Sequence, residues 1–168
     1  MRGSEETKES SMTIRAVAPL AATSIVTALC LAGSFMAFAA DPVTKEEAVA
    51  MVKKAVAAIK AEGAEKAYAE IDNPAGPFVD RAYIVVYGLD GMVLAHGANK
   101  DRVGTNRIDD KDSDGKPFVK ERVDMAKQNP SFWQSYKFMN PVTKQVEPKQ
   151  MYCERLDETA VCGGIYQN

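Results

Sequence analysis

The sequence is short of the residues that most protein chemistry needs. It has one histidine, one tryptophan and three cysteines in 168 residues. A single histidine excludes an H-E-x-x-H zinc pair and any histidine-based metal cluster. The G-x-S-x-G, C-x-x-C, C-x-x-C-H and phosphate-loop patterns are missing too, so no hydrolase elbow, haem attachment or nucleotide cradle is expected. Charge of one sign is also lacking: Lys+Arg 21 oppose Asp+Glu 23, a net charge of −2. That balance leaves no electrostatic footprint for nucleic acid and no polybasic membrane patch. The expectation is a chain that is not an enzyme and uses no cofactor or metal.

Long apolar runs are absent except at the N-terminus. From Met12 the chain reads MTIRAVAPLAATSIVTALCLAGSFMAFAADP, with one Arg, a long apolar stretch, and small residues at Ala37 and Ala39. This is the layout of a signal peptide over 12–39, cleaved after Ala39. The acidic MRGSEETKESS before it is unlike such a leader, so residues 1–11 read as a mis-assigned start. The alternative is an uncleaved run retained as a membrane anchor, since its length is near that of a span. Residues 40–168 form the mature domain on the first reading, located in the periplasm or secreted.

Export bears on the cysteines. Cys30 leaves with the leader, and Cys153 and Cys162 remain. If MYCERLDETAVCGGIY is a hairpin turning at Asp157-Glu158, Leu156 pairs with Thr159 and Cys153 lies opposite Cys162. Opposed strand positions are within the span of a disulfide, and an oxidising compartment favours one. A His/Cys nucleophilic pair is then left without its thiol.

Along the mature chain, Thr44 and Glu47 make a capping box, followed by Val49, Val52, Val56 and Ile59 at helical spacing. This predicts a helix to about Glu62, stopped or bent at Gly63, then a short helical piece AEKAYAEI. The NPAGPF segment is a loop. RAYIVVYGLDGMVLAHG reads as two strands about Asp90-Gly91. A two-residue loop would pair Leu89 with Met92, Tyr87 with Leu94 and Val85 with His96, and put Tyr83, Val85, Tyr87, Leu94 and His96 on one face. A polar crossover follows, with a helix from about Pro117 to Lys127. FWQSYKF, EPKQMYCERL and TAVCGGIY complete a five-stranded antiparallel sheet in an α+β fold.

The crossover contains DKDSDGKPFVKE, Asp110 to Glu121, which satisfies the calcium-loop pattern D-x-[DN]-x-[DN]-G-x5-E. The context opposes that use. ANKDRVGTNRID before it has no helical apolar stripe, Pro117 has no N–H at the loop position normally used for strand pairing, and no second copy exists. An Asp/Gly turn leading into a helix that opens with Pro is the expectation.

Together, NPAGPF, YIVVYGLDGMVLAHG, VGTN, DKDSDGKPF, YKFMNPVTKQVEPKQMY and VCGGIY resemble a single Cache domain over nearly all of the mature chain. The resemblance implies a PAS-like antiparallel sheet behind a long N-terminal helix, and an extracytoplasmic sensor of small molecules. It also implies that the D-x-D-G-K-P-F turn leads into a crossover helix walling the ligand pocket. Most Cache domains are tethered by two membrane helices to an output module. This chain ends at Asn168, directly after its last strand, so a separate membrane sensor protein is the expected partner for transmission.

The expected ligand is a short carboxylate, held by a few directed polar groups in an apolar pocket. The candidates are His96 at its strand end beside Gly97, which lets a ligand or backbone approach closely; Lys149, which the resemblance points at the ligand; Tyr83; and Tyr136. Trp133 and Tyr152 are weaker candidates, because each sits three residues from a better one and cannot share its face in a regular strand. His96, if it met the anion as imidazolium, would make affinity fall as pH rises through ~6.5. The competing class is a structural or partner-binding protein of the same fold with a filled pocket.

Overall fold

Thr44 begins the first helix. In the computed structural model, which describes residues 42–80 and 82–167, its side chain accepts from the Glu47 N–H at 3.1 Å while the Glu47 carboxylate accepts from the Thr44 N–H at 2.8 Å. This reciprocal cap starts α1 (Lys45–Glu62). Gly63, at φ 87°, breaks the helical path, and α2 (Ala64–Ile71) follows. The signal peptide, the start site and the cleavage point all fall on residues 1–41, outside the described residues. Among the described residues no helix is long and apolar enough to cross a membrane.

The strands are β1 (Ile84–Gly88), β2 (Val93–His96), β3 (Ser131–Met139), β4 (Val146–Leu156) and β5 (Thr159–Tyr166), with α3 (Phe118–Gln128) in the crossover. They form one antiparallel sheet in the order β2-β1-β5-β4-β3. The helices α1 and α2 cover one face, where Val52, Ala55, Val56, Ile59, Ile71, Phe78, Ile84 and Val86 form an apolar core. The other face packs Tyr83, Val85, Tyr87, Val93 and Met151 against Phe118, Val119 and Ala126 of α3.

The last hairpin has the expected register. Leu156 pairs with Thr159 and Cys153 with Cys162, whose Cα atoms lie 4.1 Å apart and whose sulfurs are bonded. The first hairpin differs from expectation by two compensating steps. Its loop has three residues rather than two: Gly91 N–H donates to Gly88 O, Gly88 N–H donates to Met92 O, and Gly91 takes φ 89°. This is a turn closed by a left-handed glycine, a common three-residue hairpin. Tyr87 therefore pairs with Val93, and a bulge at Leu94 restores Val86 to Ala95 and Val85 to His96. The extra residue turns Leu94 toward the α1 side, away from Tyr83 and Tyr87. The expectation of Leu94 on their face is corrected accordingly.

Candidate functional site

The center of the α3-covered face holds two cations where a core would be expected. Lys149 on β4 lies opposite Tyr136 of β3 and Tyr166 of β5, and is 1% exposed. Its Nζ contacts the phenolic oxygens of Tyr83 at 2.8 Å and Tyr166 at 3.3 Å. Three rings surround the nitrogen: Tyr83 at 4.3 Å, Tyr166 at 4.5 Å and Phe138 at 5.7 Å. The stem fits only because β5 has no side chain beneath it. A Cβ at Gly164 would stand 2.5 Å from Lys149 Cε. Burial, and then the charges of Arg122 and Arg102, pull the Lys149 ammonium well below the usual lysine range.

Arg122 is the second cation. It occupies the buried stripe of α3 with Phe118, Val119, Val123 and Ala126, and is fully buried. Its Nε donates to Gln134 Oε1 at 3.1 Å. Gln134 is fixed in turn by donating to Phe118 O at 2.8 Å and to Glu121 Oε2 at 2.6 Å. Among the described residues the two Nη groups have no hydrogen-bond partner. Again three rings face the charge: Tyr87 at 5.0 Å, Tyr136 at 5.1 Å and Phe118 at 5.5 Å.

Neither cation has an ion-pair partner among the described residues. Removing an ion from water costs several kcal/mol, and a desolvated cation–π contact returns roughly 2 kcal/mol. Three rings per cation offset much of that cost without using a single N–H. Each cation is stabilised while some of its donors stay unpaired among the described residues: both Nη groups of Arg122 and, beyond its two phenolic contacts, one N–H of Lys149. Arg122 and Tyr166 were not among the residues expected from sequence. For Arg122 the signal was an arginine inside the apolar stripe of a helix. For Tyr166 it was strand parity, since a hairpin turning at Asp157-Glu158 sets it opposite Lys149.

His96 and Tyr83 join the Lys149 cage. Their rings stack with centroids 5.2 Å apart. His96 Nδ1 accepts from the N–H groups of Ala98 at 3.2 Å and Asn99 at 3.0 Å. That geometry puts the ring proton on Nε2. Burial, with the charges of Arg102 and Lys149, lowers the imidazole to about 4. Without a ligand His96 is therefore neutral near pH 7. Its backbone N–H is held by Asp72 Oδ1 at 2.8 Å, tying the strand end to α2. The close approach expected at Gly97 is made by protein: a Cβ there would meet Val79 Cγ2 at 2.9 Å and Ile71 O at 3.2 Å.

Tyr136 stacks on Phe118 at 4.6 Å between the two cations. Burial pushes its phenol up, and the Arg122 charge opposes that rise. Trp133 and Tyr152 are placed elsewhere. They pair with each other across β3 and β4 and pack into the α1-side core. The parity objection thus separates the weaker candidates from the stronger ones, with Tyr136 and Lys149 on the α3 side.

The Asp-rich turn covers a sheet edge. Asp112 Oδ1 accepts from the N–H groups of Asp114 and Lys116, both at 2.9 Å, and its Oδ2 from the Lys137 N–H of β3 at 3.1 Å. Lys116 Nζ donates to Ser135 O at 2.6 Å and lies 2.9 Å from Glu121. Asp114 pairs with Lys137, and Asp110 with Arg102 and Arg107. The carboxylates that a calcium loop would aim at a metal are engaged with backbone amides and lysine or arginine.

Comparison with known proteins agrees with this architecture. The profile of the family described as Single Cache domain 2 matches residues 34–162. Among solved structures, a methyl-accepting chemotaxis protein from Vibrio parahaemolyticus superposes with a TM-score of 0.62 at 23% identity, over 73% of this chain and 87% of that one. A Cache chemosensory domain described for carboxylic acid recognition gives 0.61 at 19%, over 73% and 92%. A periplasmic sensor domain of a chemotaxis protein gives 0.59 at 20%, over 73% and 90%. At these identities the likeness is one of fold. No curated protein matches the chain. With the family profile covering most of its length, the chain belongs to the Single Cache domain 2 family.

Proposed function

We propose that this chain is an extracytoplasmic sensory module that binds a short carboxylate between α3 and the sheet. The observation that carries the reading is the pair of buried Arg122 Nη groups with no hydrogen-bond partner among the described residues. A buried unpaired donor costs roughly 1–3 kcal/mol, more when charged. A carboxylate accepts both groups at once in the bidentate geometry that suits a guanidinium. Lys149, Tyr83, Tyr166, Tyr136 and His96 complete the lining.

Binding rather than catalysis fits the same residues. Cys153 and Cys162 are joined to each other, and the lone histidine has Nδ1 committed to two backbone amides. The signal-peptide layout of 12–39 and the disulfide both favour an exported protein. A membrane sensor protein is the partner to which this module would report.

The test is a thermal-shift and calorimetric screen with acetate, propionate, pyruvate, lactate, dicarboxylates, amino acids and amines. At a hundredfold over Kd, a true ligand adds ~2.7 kcal/mol of stability. Arg122→Gln should abolish the shift, and Lys144→Ala, in the exposed turn between β3 and β4, should leave it unchanged. Failure of every carboxylate would sink the reading.

A further inference from the structure

Neither buried cation is within reach of solvent as the domain stands. Arg122 is 0% exposed and Lys149 1%. Anything that meets these groups enters only after an element moves, and the helices differ in what moving would lose. α1 buries Ala48, Val52, Ala55, Val56 and Ile59, all apolar. Lifting it would give up hydrophobic contact and gain nothing in return. α3 buries Phe118, Val119, Val123 and Ala126 together with Arg122. Lifting α3 gives up four apolar side chains but returns to water a guanidinium whose Nη groups have no hydrogen-bond partner among the described residues. Phe118 also packs edge-on against Phe138, one of the rings over Lys149, so the same motion loosens the lysine cage. Desolvated charge is costly to bury, and rehydrating it offsets part of the lost contact.

The backbone around α3 suits such a motion. On one side Asp112 accepts from the Lys137 N–H and Lys116 donates to Ser135 O, which fastens the preceding turn to β3. On the other, the Arg155 N–H donates to Pro130 O at 2.8 Å, which fastens the following residue to β4. At each end one residue takes the chain out of the helix: Pro117 at φ −77° and ψ 72°, which gives the helix no side-chain cap, and Asn129 at φ −129° and ψ 139°. Between these points Gln134 of β3 is a latch, donating to Phe118 O and Glu121 and accepting from Arg122 Nε. Element-terminal residues of this kind absorb the angle changes of a hinge. We infer that α3 is a lid: residues 117–129 swing off the sheet as a unit, released at Gln134 and hinged at Pro117 and Asn129, while α1, α2 and the sheet stay folded. The motion belongs to the ligand-free protein, whatever its ligand, and the buried charge of Arg122 favours it.

Native-state hydrogen exchange on the ligand-free, full-length chain tests this. Relative to intrinsic rates, the Val123 and Ala126 amides of α3 should exchange at least about a hundredfold faster than those of Val56 in α1 and Val161 in β5, and with a shallower dependence on urea. Ile84→Val, on the opposite face, should speed the Val56 and Val161 amides by roughly two- to tenfold. It should leave α3 unchanged, because the lid opens without disturbing Ile84. Arg122→Met should slow α3 exchange at least about tenfold, since opening then hydrates no charge. The wild-type comparison decides the matter even if a variant fails to fold. Protection and urea dependence in α3 equal to those of α1 and β5, α3 exchange that follows Ile84→Val, or α3 exchange unchanged or faster in Arg122→Met each overturns the lid. No ligand enters these measurements, so the lid and the carboxylate reading fail separately.

Discussion

The two faces of the sheet are buried to similar depth but are built from opposite materials. On the α1 and α2 side Val52, Ile59 and Ile71 of the helices pack with Ile84 and Val86 of the sheet, and the buried charged side chains among the described residues, Arg122 and Lys149, are not there. On the α3 side Arg122 of the helix faces Lys149, His96 and four tyrosines on the sheet side, and aromatic rings shield both cations. The adjacent glycines of β5 show the division in two residues. Gly163 lets α1 approach, since a Cβ would meet Val52 Cγ2 at 3.0 Å, and Gly164 clears the path of Lys149 on the other side. One face supplies stability. On the proposed function the other holds charge for a ligand, at a cost to stability that the first face must offset.

That contrast predicts opposite signs for two substitutions. Ile84→Ala removes a fully buried side chain from the α1 side and should cost about 2–5 kcal/mol in urea unfolding. Carboxylate affinity should change little, because Ile84 points away from Arg122 and Lys149. Arg122→Met should do the reverse, abolishing binding while raising the stability of the ligand-free protein by about 1–3 kcal/mol. Replacing a buried charge with an apolar side chain of similar volume is often stabilising by that order. A less stable Arg122→Met protein would show that the guanidinium is part of the core, and the two faces would then be alike.

The second prediction sharpens the contrast through pH. In the unfolded chain the His96 imidazole titrates near ~6.5, and in the fold it titrates at about 4. Between these values the unfolded state binds the extra proton, so stability falls as pH drops through that window. At ~1.36 kcal/mol per unit the full loss approaches about 3 kcal/mol near pH 4. Above pH ~6.5 His96 should contribute no slope. His96→Gln should flatten the curve between pH 6.5 and 4 in denaturant melts taken at each pH. An unchanged acid limb would place the ring in a more hydrated environment than its contacts indicate.

How much of this was legible in the sequence follows the same division. The capped α1, the β4–β5 register and the Cys153–Cys162 bond depend on local spacing, and local spacing sufficed. In the first hairpin the Asp90-Gly91 turn pointed to a hairpin but not to its length. The three-residue loop shifts the register by one, and the bulge at Leu94 brings Val85 back opposite His96. Parity alone divided Lys149 and Tyr136 from Tyr152 and Trp133, but it could not say which pair faced α1. That depends on packing between distant segments. Arg122 was the largest omission. A charged residue within a helical stripe ordinarily reads as solvated, and it is the three surrounding rings, from β1, β3 and α3, that bury it.

The smallest effect concerns the Asp-rich turn, whose resemblance to a calcium loop comes from residues used in another way. Burial opposes the charge of Asp112, but the N–H groups of Lys137, Lys116 and Asp114, with the Lys116 charge, together hold its carboxyl below the usual range. The Lys137 bond matters most for the fold, because β3 is an edge strand and that N–H lies on its free side. An open edge is a template for another strand, and Asp112 with Lys116 covers it at Lys137 and Ser135. Asp112→Ala should therefore cost about 1–2 kcal/mol through lost hydrogen bonds. It should also make the protein self-associate with rising concentration, as read by sedimentation. Calcium should add no stability to the wild-type protein, since the same oxygens already accept three amide protons. Micromolar calcium binding that Asp112→Ala removed would make the turn a metal loop, and the protection of β3 would have to come from elsewhere.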